Sequence, residues 1–550
     1  MSSHSVEAPL ARLEQLKTSF SPADAARLER LLGRLARAPF RDAVTLGRFH
    51  EALLFVRAHP HNARLVRLTE RLLAGFSARS ARLRAAGADL SPLEDPEISG
   101  VAGIAFSAIF TYRIACHLAA RYRKAVEIDW DAEESIERLG PGLPHFIPLM
   151  EDDTLVEANV PYADWLGAAR GGLAWLLAGM AAWPRGLEEK AELYDLWRVP
   201  IRWEIGDSPA ARTHTRVPAR RIFYQRKPLT RRSEVSLAAA LAAPPLPLRL
   251  LSRRHGAALL DLLRDTSAAR YRELYGFTHG DPDSFLAAEA GRGVRIFLHG
   301  IPPARRLPLR AYHAGLFVKN GVPIGYFETL SFFERVEVGY NVYYTFREGE
   351  SAWLYGRLLR LLNQVLGVTC FSMDPYQIGH HNEEAIKAGA FWFYRKLGLR
   401  PMRPELERLA DIEAAKIAAR PGYRTPPRVL ARLAEGPVIY EAPGVRVGDW
   451  DRFEVRKLGL AVARVPRAPA AEVAATLGVS VDRWKKSERR AFSNWALVLA
   501  LIPDLERWSA PEKRAAAAII RAKAGPDEAR YLRLLQAHPR LRQAVLELGS

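Results

Sequence analysis

From residue 336 to residue 366 the chain reads as a strand, a polar loop and a helix. That order can hold a phosphate. A loop that opens a helix presents backbone N–H groups with no intrahelical acceptor, at the positive end of the helix dipole. Such an end suits a pyrophosphate. The strand carries Glu337-Val-Gly-Tyr-Asn-Val342, and the loop is Arg347-Glu348-Gly349-Glu350-Ser351-Ala352. Arg347 supplies a guanidinium, Gly349 flexibility, Ser351 a hydroxyl and Ala352 a small side chain beside the amides. Glu350 is discordant, because a carboxylate repels a pyrophosphate unless it points away.

Other residue types invite other chemistry. Arg212, Arg216, Arg220, Arg221, Arg226, Lys227, Arg231 and Arg232 crowd around Phe223 and Tyr224. That mixture of cations and aromatics suits nucleic acid, an acidic cofactor tail or a lipid headgroup, or else an Arg-rich solvated connection. Asp129-Trp130-Asp131 and Glu151-Asp152-Asp153 have no cation-loop spacing and read as helix caps. Glu472 to Ser480, followed by Trp484-Lys485-Lys486, has the pattern of two helices joined by a turn, which is generic. No Ser-His-Asp order, HExxH or Walker sequence is present.

The elements that position these residues follow from periodicity. Ala314–Val318, the turn Lys319-Asn320-Gly321 and Val322–Leu330 predict a β-hairpin, since Asn-Gly supplies the positive φ of a tight turn. Val294–Leu298, Val336–Tyr344 and Val368–Met373 predict strands. Trp353–Leu366 predicts an amphipathic helix with Leu354, Leu358, Leu361, Leu362 and Val365 on one face. Asn382–Leu397 predicts another, with Asn382 as its cap. Residues 1–90, 91–205 and those after 410 read as mainly helical, and Ala243-Pro-Pro-Leu-Pro247 as a linker.

The segment from Gly315 to Pro401 resembles the GNAT superfamily of N-acetyltransferases. The likeness rests on the hairpin Ala314–Glu328, on Glu337–Val342 with the loop Arg347–Ala352 and its leucine-rich helix, and on Phe393-Tyr-Arg-Lys-Leu-Gly-Leu-Arg-Pro401. The last is similar to the family's closing Tyr-x-Lys-Leu-Gly-Phe signature. The resemblance implies a mixed sheet with flanking helices and acetyl-CoA or another acyl-CoA as co-substrate. Val342, Arg347, Gly349, Ser351 and Ala352 would hold the pyrophosphate. It also implies direct attack of an amine on the thioester, with Glu337 as base, directly or through water, and Tyr394 as acid. This loop departs from the family pattern in carrying Glu350 at the central glycine position. On local pattern alone Glu337 equally suits a surface charge and Tyr394 a core aromatic. His380-His381 would lie near the acyl site and read as a solvated loop pair.

The chain has 550 residues, 49% hydrophobic and 26% charged, which excludes intrinsic disorder and a collagen-like chain. The net charge of +19 is mostly arginine, in a chain rich in Ala, Leu, Gly and Pro, as a GC-rich bacterial genome encodes. Two distant cysteines, Cys116 and Cys370, exclude a disulfide framework and a cysteine zinc site. Met1–Leu16 has no apolar core of a secretory signal. Ile98–Tyr112, Gly171–Trp183 and Trp495–Ile502 are too short to span a bilayer and read as buried helices. The expectation is a cytoplasmic α+β multidomain protein. Residues 1–240 form a helical region ending in a basic connection, residues 250–410 a GNAT-like domain, and residues 411–550 a second helical region. Its expected activity is acyl-CoA-dependent acyl transfer to an amine. A non-catalytic scaffold with a degenerate GNAT fold, and a nucleic-acid-binding protein using the basic segment, are the alternatives.

Overall fold

The computed structural model describes residues 4–132, 139, 142–158, 164, 171–465 and 469–550. Gly140 and Pro141, whose residue types mark a helix break, lie outside them. Helices and a mixed sheet make up the molecule. Among the described residues no helix is long and apolar enough to cross a membrane.

Five helices fill residues 4–85. A small antiparallel sheet follows, in the order β1-β3-β2: β1 (Ala105–Ile109), β2 (Val126–Ile128) and β3 (Pro200–Glu204). Residues 91–205 are therefore not simply helical, and Ile98–Tyr112 is turn and strand rather than a buried helix. The periodicity missed it because β3 meets its partners only after some 70 or more residues of intervening chain.

Among the described residues the main sheet has nine strands. They are β4 (Leu248–Leu250), β5 (Leu286–Gly291), β6 (Val294–His299), β7 (Ala311–Lys319), β8 (Val322–Phe332), β9 (Arg335–Val342), β10 (Cys370–Met373), β11 (Arg400–Pro401) and β12 (Val438–Glu441). Their order is β11-β12-β10-β9-β8-β7-β6-β5-β4. Every pair is antiparallel except β9 and β10, which are joined by the helix Ser351–Leu366. Such a crossover is what a parallel pair requires. The β7–β8 turn is Asn320-Gly321, both at positive φ (50° and 86°).

Strand β12 comes from beyond residue 410 and sits inside the sheet, so the sheet draws on chain assigned above to the C-terminal region. One continuous apolar core also runs from Val6 through the sheet to Leu546. All three stretches of sequence contribute to that core, while residues 102–211 enclose a second one with Ala268 and Ala269. The linker at 243–247 is no loose tether: the Leu246 N–H donates to Gln364 Oε1 (2.8 Å) and the Leu246 carbonyl accepts from Gln364 Nε2 (3.0 Å).

Side chains alternate across β7, β8 and β9. Phe317, Phe327 and Tyr340 face the core shared with the helix Ser351–Leu366. That helix buries Leu354, Leu358, Leu361, Leu362 and Leu366, each worth about 1.5–3 kcal/mol. Tyr312, Ala314 and Leu316 face the helices Arg253–Ala268 and Tyr275–His279. On that second face Tyr326, Glu328, Leu330, Glu337, Gly339 and Asn341 are only half-buried. A strip of polar sheet therefore stays open to water.

Candidate functional site

The parallel pairing of β9 with β10 covers only Arg335–Glu337 against Cys370–Ser372. Beyond Glu337 the two strands have no mutual ladder. β9 runs on alongside β8 to Val342, whereas β10 ends at Met373. A cleft of about 570 Å³ lies beside the free end of β9. Tyr340, Asn341 and Val342 line it from β9, Arg347 and Ser351 from the loop and helix start at its mouth, and Phe393 and Tyr394 from the helix Ala390–Arg395.

The loop is braced from inside. Tyr340 donates its hydroxyl to the Ser351 carbonyl (2.8 Å), which ties the strand to the start of the helix. The Gly349 N–H donates to the Phe346 carbonyl (2.9 Å). A Cβ on Gly349 would meet that same carbonyl at 2.9 Å, so a larger residue does not fit. Ser351 lines the cleft, whereas Ala352 is buried beneath the first turn. The amides of Ser351, Ala352 and Trp353 open the helix and have no acceptor within it.

Glu350 points neither into this mouth nor into water. Its side chain is buried. Oε1 accepts from the Thr230 N–H (3.1 Å), from Thr230 Oγ1 (3.0 Å) and from Arg292. Oε2 lies 3.6 Å from Lys319 Nζ. Burial pulls the Lys319 ammonium down to about 8, against the opposing pull of Glu350. The carboxylate that seemed to oppose a pyrophosphate is thus spent on the basic connection and the hairpin.

Arg347 is also engaged. Its Nε donates to the Val342 carbonyl (3.2 Å), Nη1 lies 2.6 Å from Glu384 Oε1, and Nη2 lies 3.3 Å from Glu97 Oε2. Glu97 Oε1 pairs with Arg272 Nη2 (2.5 Å), and Arg272 lines the same cleft. Neither Glu97 nor Arg272 carries any local pattern that marks it in the sequence.

Tyr394 is buried in the helix Ala390–Arg395, edge-on to Tyr355 (ring centroids 5.6 Å apart). Burial pushes its phenol well above the ordinary tyrosine value. The predicted helix Asn382–Leu397 is two helices, Glu383–Ala388 and Ala390–Arg395. They break at Gly389, whose φ of 66° ends the first. Asn382 Oδ1 caps that first helix by accepting from the Ala385 N–H (3.1 Å).

The structure brings Val342, Arg347, Ser351 and Tyr394 together. Gly349 and Ala352 support the loop from behind, and Glu337 lies apart. It shares a sheet face with Asn341, but four residues along a strand is about 13 Å. Burial raises its carboxyl, with Arg335 opposing and Asp374 reinforcing. On the same face Glu328 pairs across the ladder with Gly339, which makes it a diagonal neighbour of Glu337. Tyr312 donates to it, and burial raises its carboxyl as well. The sequence signal for Glu328 is the one charged residue of its strand. His380 and His381 pack ring to ring, 4.1 Å apart, and do not line the cleft.

Comparison with protein-family models, with curated proteins and with solved structures gives no match to this chain.

Proposed function

We propose that this chain is an acyltransferase that moves an acyl group from acetyl-CoA or another acyl-CoA to an amine. The observation that carries the reading is the short parallel pairing of β9 and β10, with a cleft beside the unpaired end of β9 that meets an open helix start and a buried tyrosine. The donor set suits an acyl-CoA: amides and the Ser351 hydroxyl for the pyrophosphate, and an apolar, aromatic wall for the arm.

In this reading the amine attacks the thioester carbonyl from the half-open sheet face. Its proton passes along the half-open sheet face to Glu337 through a chain of waters, and the C–S bond breaks. The thiolate takes a proton from the Tyr394 hydroxyl. The raised Glu337 carboxyl is a better base near neutrality than an ordinary glutamate. A non-catalytic scaffold is the second reading, favoured by the engagement of Arg347 with Glu97 and Glu384.

The test is thermal unfolding with acetyl-CoA and with free CoA, then an amine-acceptor screen. Ligand at 100 times Kd adds about 2.7 kcal/mol to the folded state, a shift of a few degrees. Ser351→Glu puts a carboxylate in the mouth at a helix start that tolerates it, and the shift should vanish. No shift at millimolar ligand, or one unchanged in Ser351→Glu, would overturn the proposal.

A further inference from the structure

Between Ser208 and Ser233 the chain has eight Arg or Lys residues and no carboxylate. Two of the eight are used internally. Arg212 is buried against Glu51 (2.6 Å), and Arg216 pairs with Glu70. Arg220, Arg221, Arg226, Lys227 and Arg231 are exposed. Among the described residues no carboxylate is in ion-pair contact with any of these five. Elsewhere arginines with carboxylate partners are common, as Arg48, Arg347, Arg395, Arg400 and Arg542 illustrate. Genome bias accounts for the number of arginines. It does not account for their being left unpaired together.

The segment is not loose. The Val217 N–H donates to the Gly321 carbonyl (2.8 Å), and the Phe223 N–H to Asn320 Oδ1 (2.8 Å). Asn320 Nδ2 donates back to the Phe223 carbonyl (2.9 Å), and the Gln225 N–H donates to the Pro60 carbonyl (2.8 Å). These bonds pin an extended chain to the β7–β8 turn and to the N-terminal helices, with one pair of cations on each side of Phe223-Tyr224. Two clefts, of about 1080 and 650 Å³, meet at Ile222 and Phe223. Arg249, Arg292 and Arg295 extend the positive lining from the sheet, and Glu234 and Glu289 are the carboxylates in it. Phe223 and Tyr224 are half-buried, so part of each ring is open. Gln225 Oε1 is buried in this wall and has no donor among the described residues.

We infer that this surface binds a single-stranded nucleic acid, with phosphates on Arg220, Arg221, Arg226 and Lys227 and a base stacked on Tyr224. Unpaired cations attract a phosphodiester chain through counterion release. Rings between the cations favour unstacked bases over a duplex, which offers no free base face. A prearranged chain lowers the ordering cost of binding. This inference does not rest on acyl transfer and is tested apart from it.

The experiment is fluorescence anisotropy of a dye-labelled 15-mer of deoxythymidylate with the full chain, from 50 to 300 mM salt. Heparin and anionic lipid vesicles serve as competitors. The expected result is affinity that falls linearly with log salt. Changing Arg220, Arg221, Arg226 and Lys227 together to Ala should weaken binding at least tenfold at 50 mM salt and reduce the slope by about 3. Tyr224→Ala should cost about five- to 100-fold for the oligonucleotide and leave heparin binding unchanged. The four cations are exposed and Tyr224 is half-buried, and matching thermal midpoints would establish that the variants fold. Three results would overturn the inference: no salt-dependent binding, full affinity in the quadruple variant, or equal competition by heparin or vesicles with no effect of Tyr224→Ala. The last would mark a generic polyanion or membrane surface instead.

Discussion

Glu97 Oε2 lies 3.3 Å from Arg347 Nη2, so a carboxylate from the N-terminal helical region caps the cation at the mouth of the cleft. Its other oxygen holds Arg272. Glu97 therefore stands where an anionic ligand would compete for both guanidiniums. These pairs are partly exposed and individually weak, about 0.2–1 kcal/mol each. Glu97→Gln should raise affinity for CoA about two- to tenfold, measured by titration calorimetry at low salt. The gain should shrink as salt screens the arginines. Unchanged or weaker binding would mean that the ligand does not use Arg347 and Arg272.

Glu350 supports a different outcome from the one its position in the loop suggests. Glu350→Gly would restore the glycine of the resembling family, yet it removes the acceptor of Thr230 and the counter-charge of Lys319 and Arg292. Breaking a buried pair costs about 3–5 kcal/mol. Arg292 is half-exposed and recovers some water, so about 2–3 kcal/mol is expected. Urea unfolding at pH 7 measures it. A neutral substitution would show that the network is not formed in solution.

The legible parts of the fold are those specified by neighbours in the chain. Asn320-Gly321 announces its turn, and the leucines of Ser351–Leu366 announce their face. Strands β1–β3 and β12 are short and take partners from distant segments, so no local period reveals them. Gly389 breaks the helix at positive φ, while the apolar spacing on either side of it continues the period of a single helix. At the site, the loop residues are legible from the order of strand, loop and helix, whereas Tyr394 is singled out only by the resemblance of its segment to a family signature. Arg272, Glu97 and Glu384 could not, because each is a lone charge whose meaning comes from a partner elsewhere in the chain.

Tyr394 and Glu337 make separable kinetic predictions once an acceptor is found. Tyr394→Phe removes only the hydroxyl, so kcat should fall about 100-fold or more while KM for acyl-CoA holds. The Glu337 carboxyl is raised in the folded protein, so it is still protonated where a free glutamate is ionised. Activity should therefore rise with pH through a limb above the ordinary glutamate value of 4.5. Glu337→Gln should abolish that limb. If Glu328→Gln abolishes it instead, the base is the diagonal neighbour.

Glu51 joins the N-terminal helices to the basic connection and to the chain after β9. It holds Arg212 at 2.6 Å, accepts from Thr345, and lies 2.9 Å from His50 Nδ1. Burial alone would raise its carboxyl, but Arg212 and His50 outweigh burial and hold it far below the ordinary range. In the acid range the unfolded chain then binds a proton that the folded chain does not. The stabilisation is therefore present above pH 4.5 and is lost as pH falls toward the depressed folded value. Glu51→Gln leaves the Arg212 guanidinium buried without its counter-charge, a cost of about 3–5 kcal/mol at pH 7. Urea unfolding of both proteins from pH 7 to pH 3 should show a constant gap down to about pH 4.5 and a narrowing gap below it. A gap that stays constant to pH 3 would mean that Glu51 keeps the same protonation in the folded and unfolded chains, and the buried pair would not be what joins these regions.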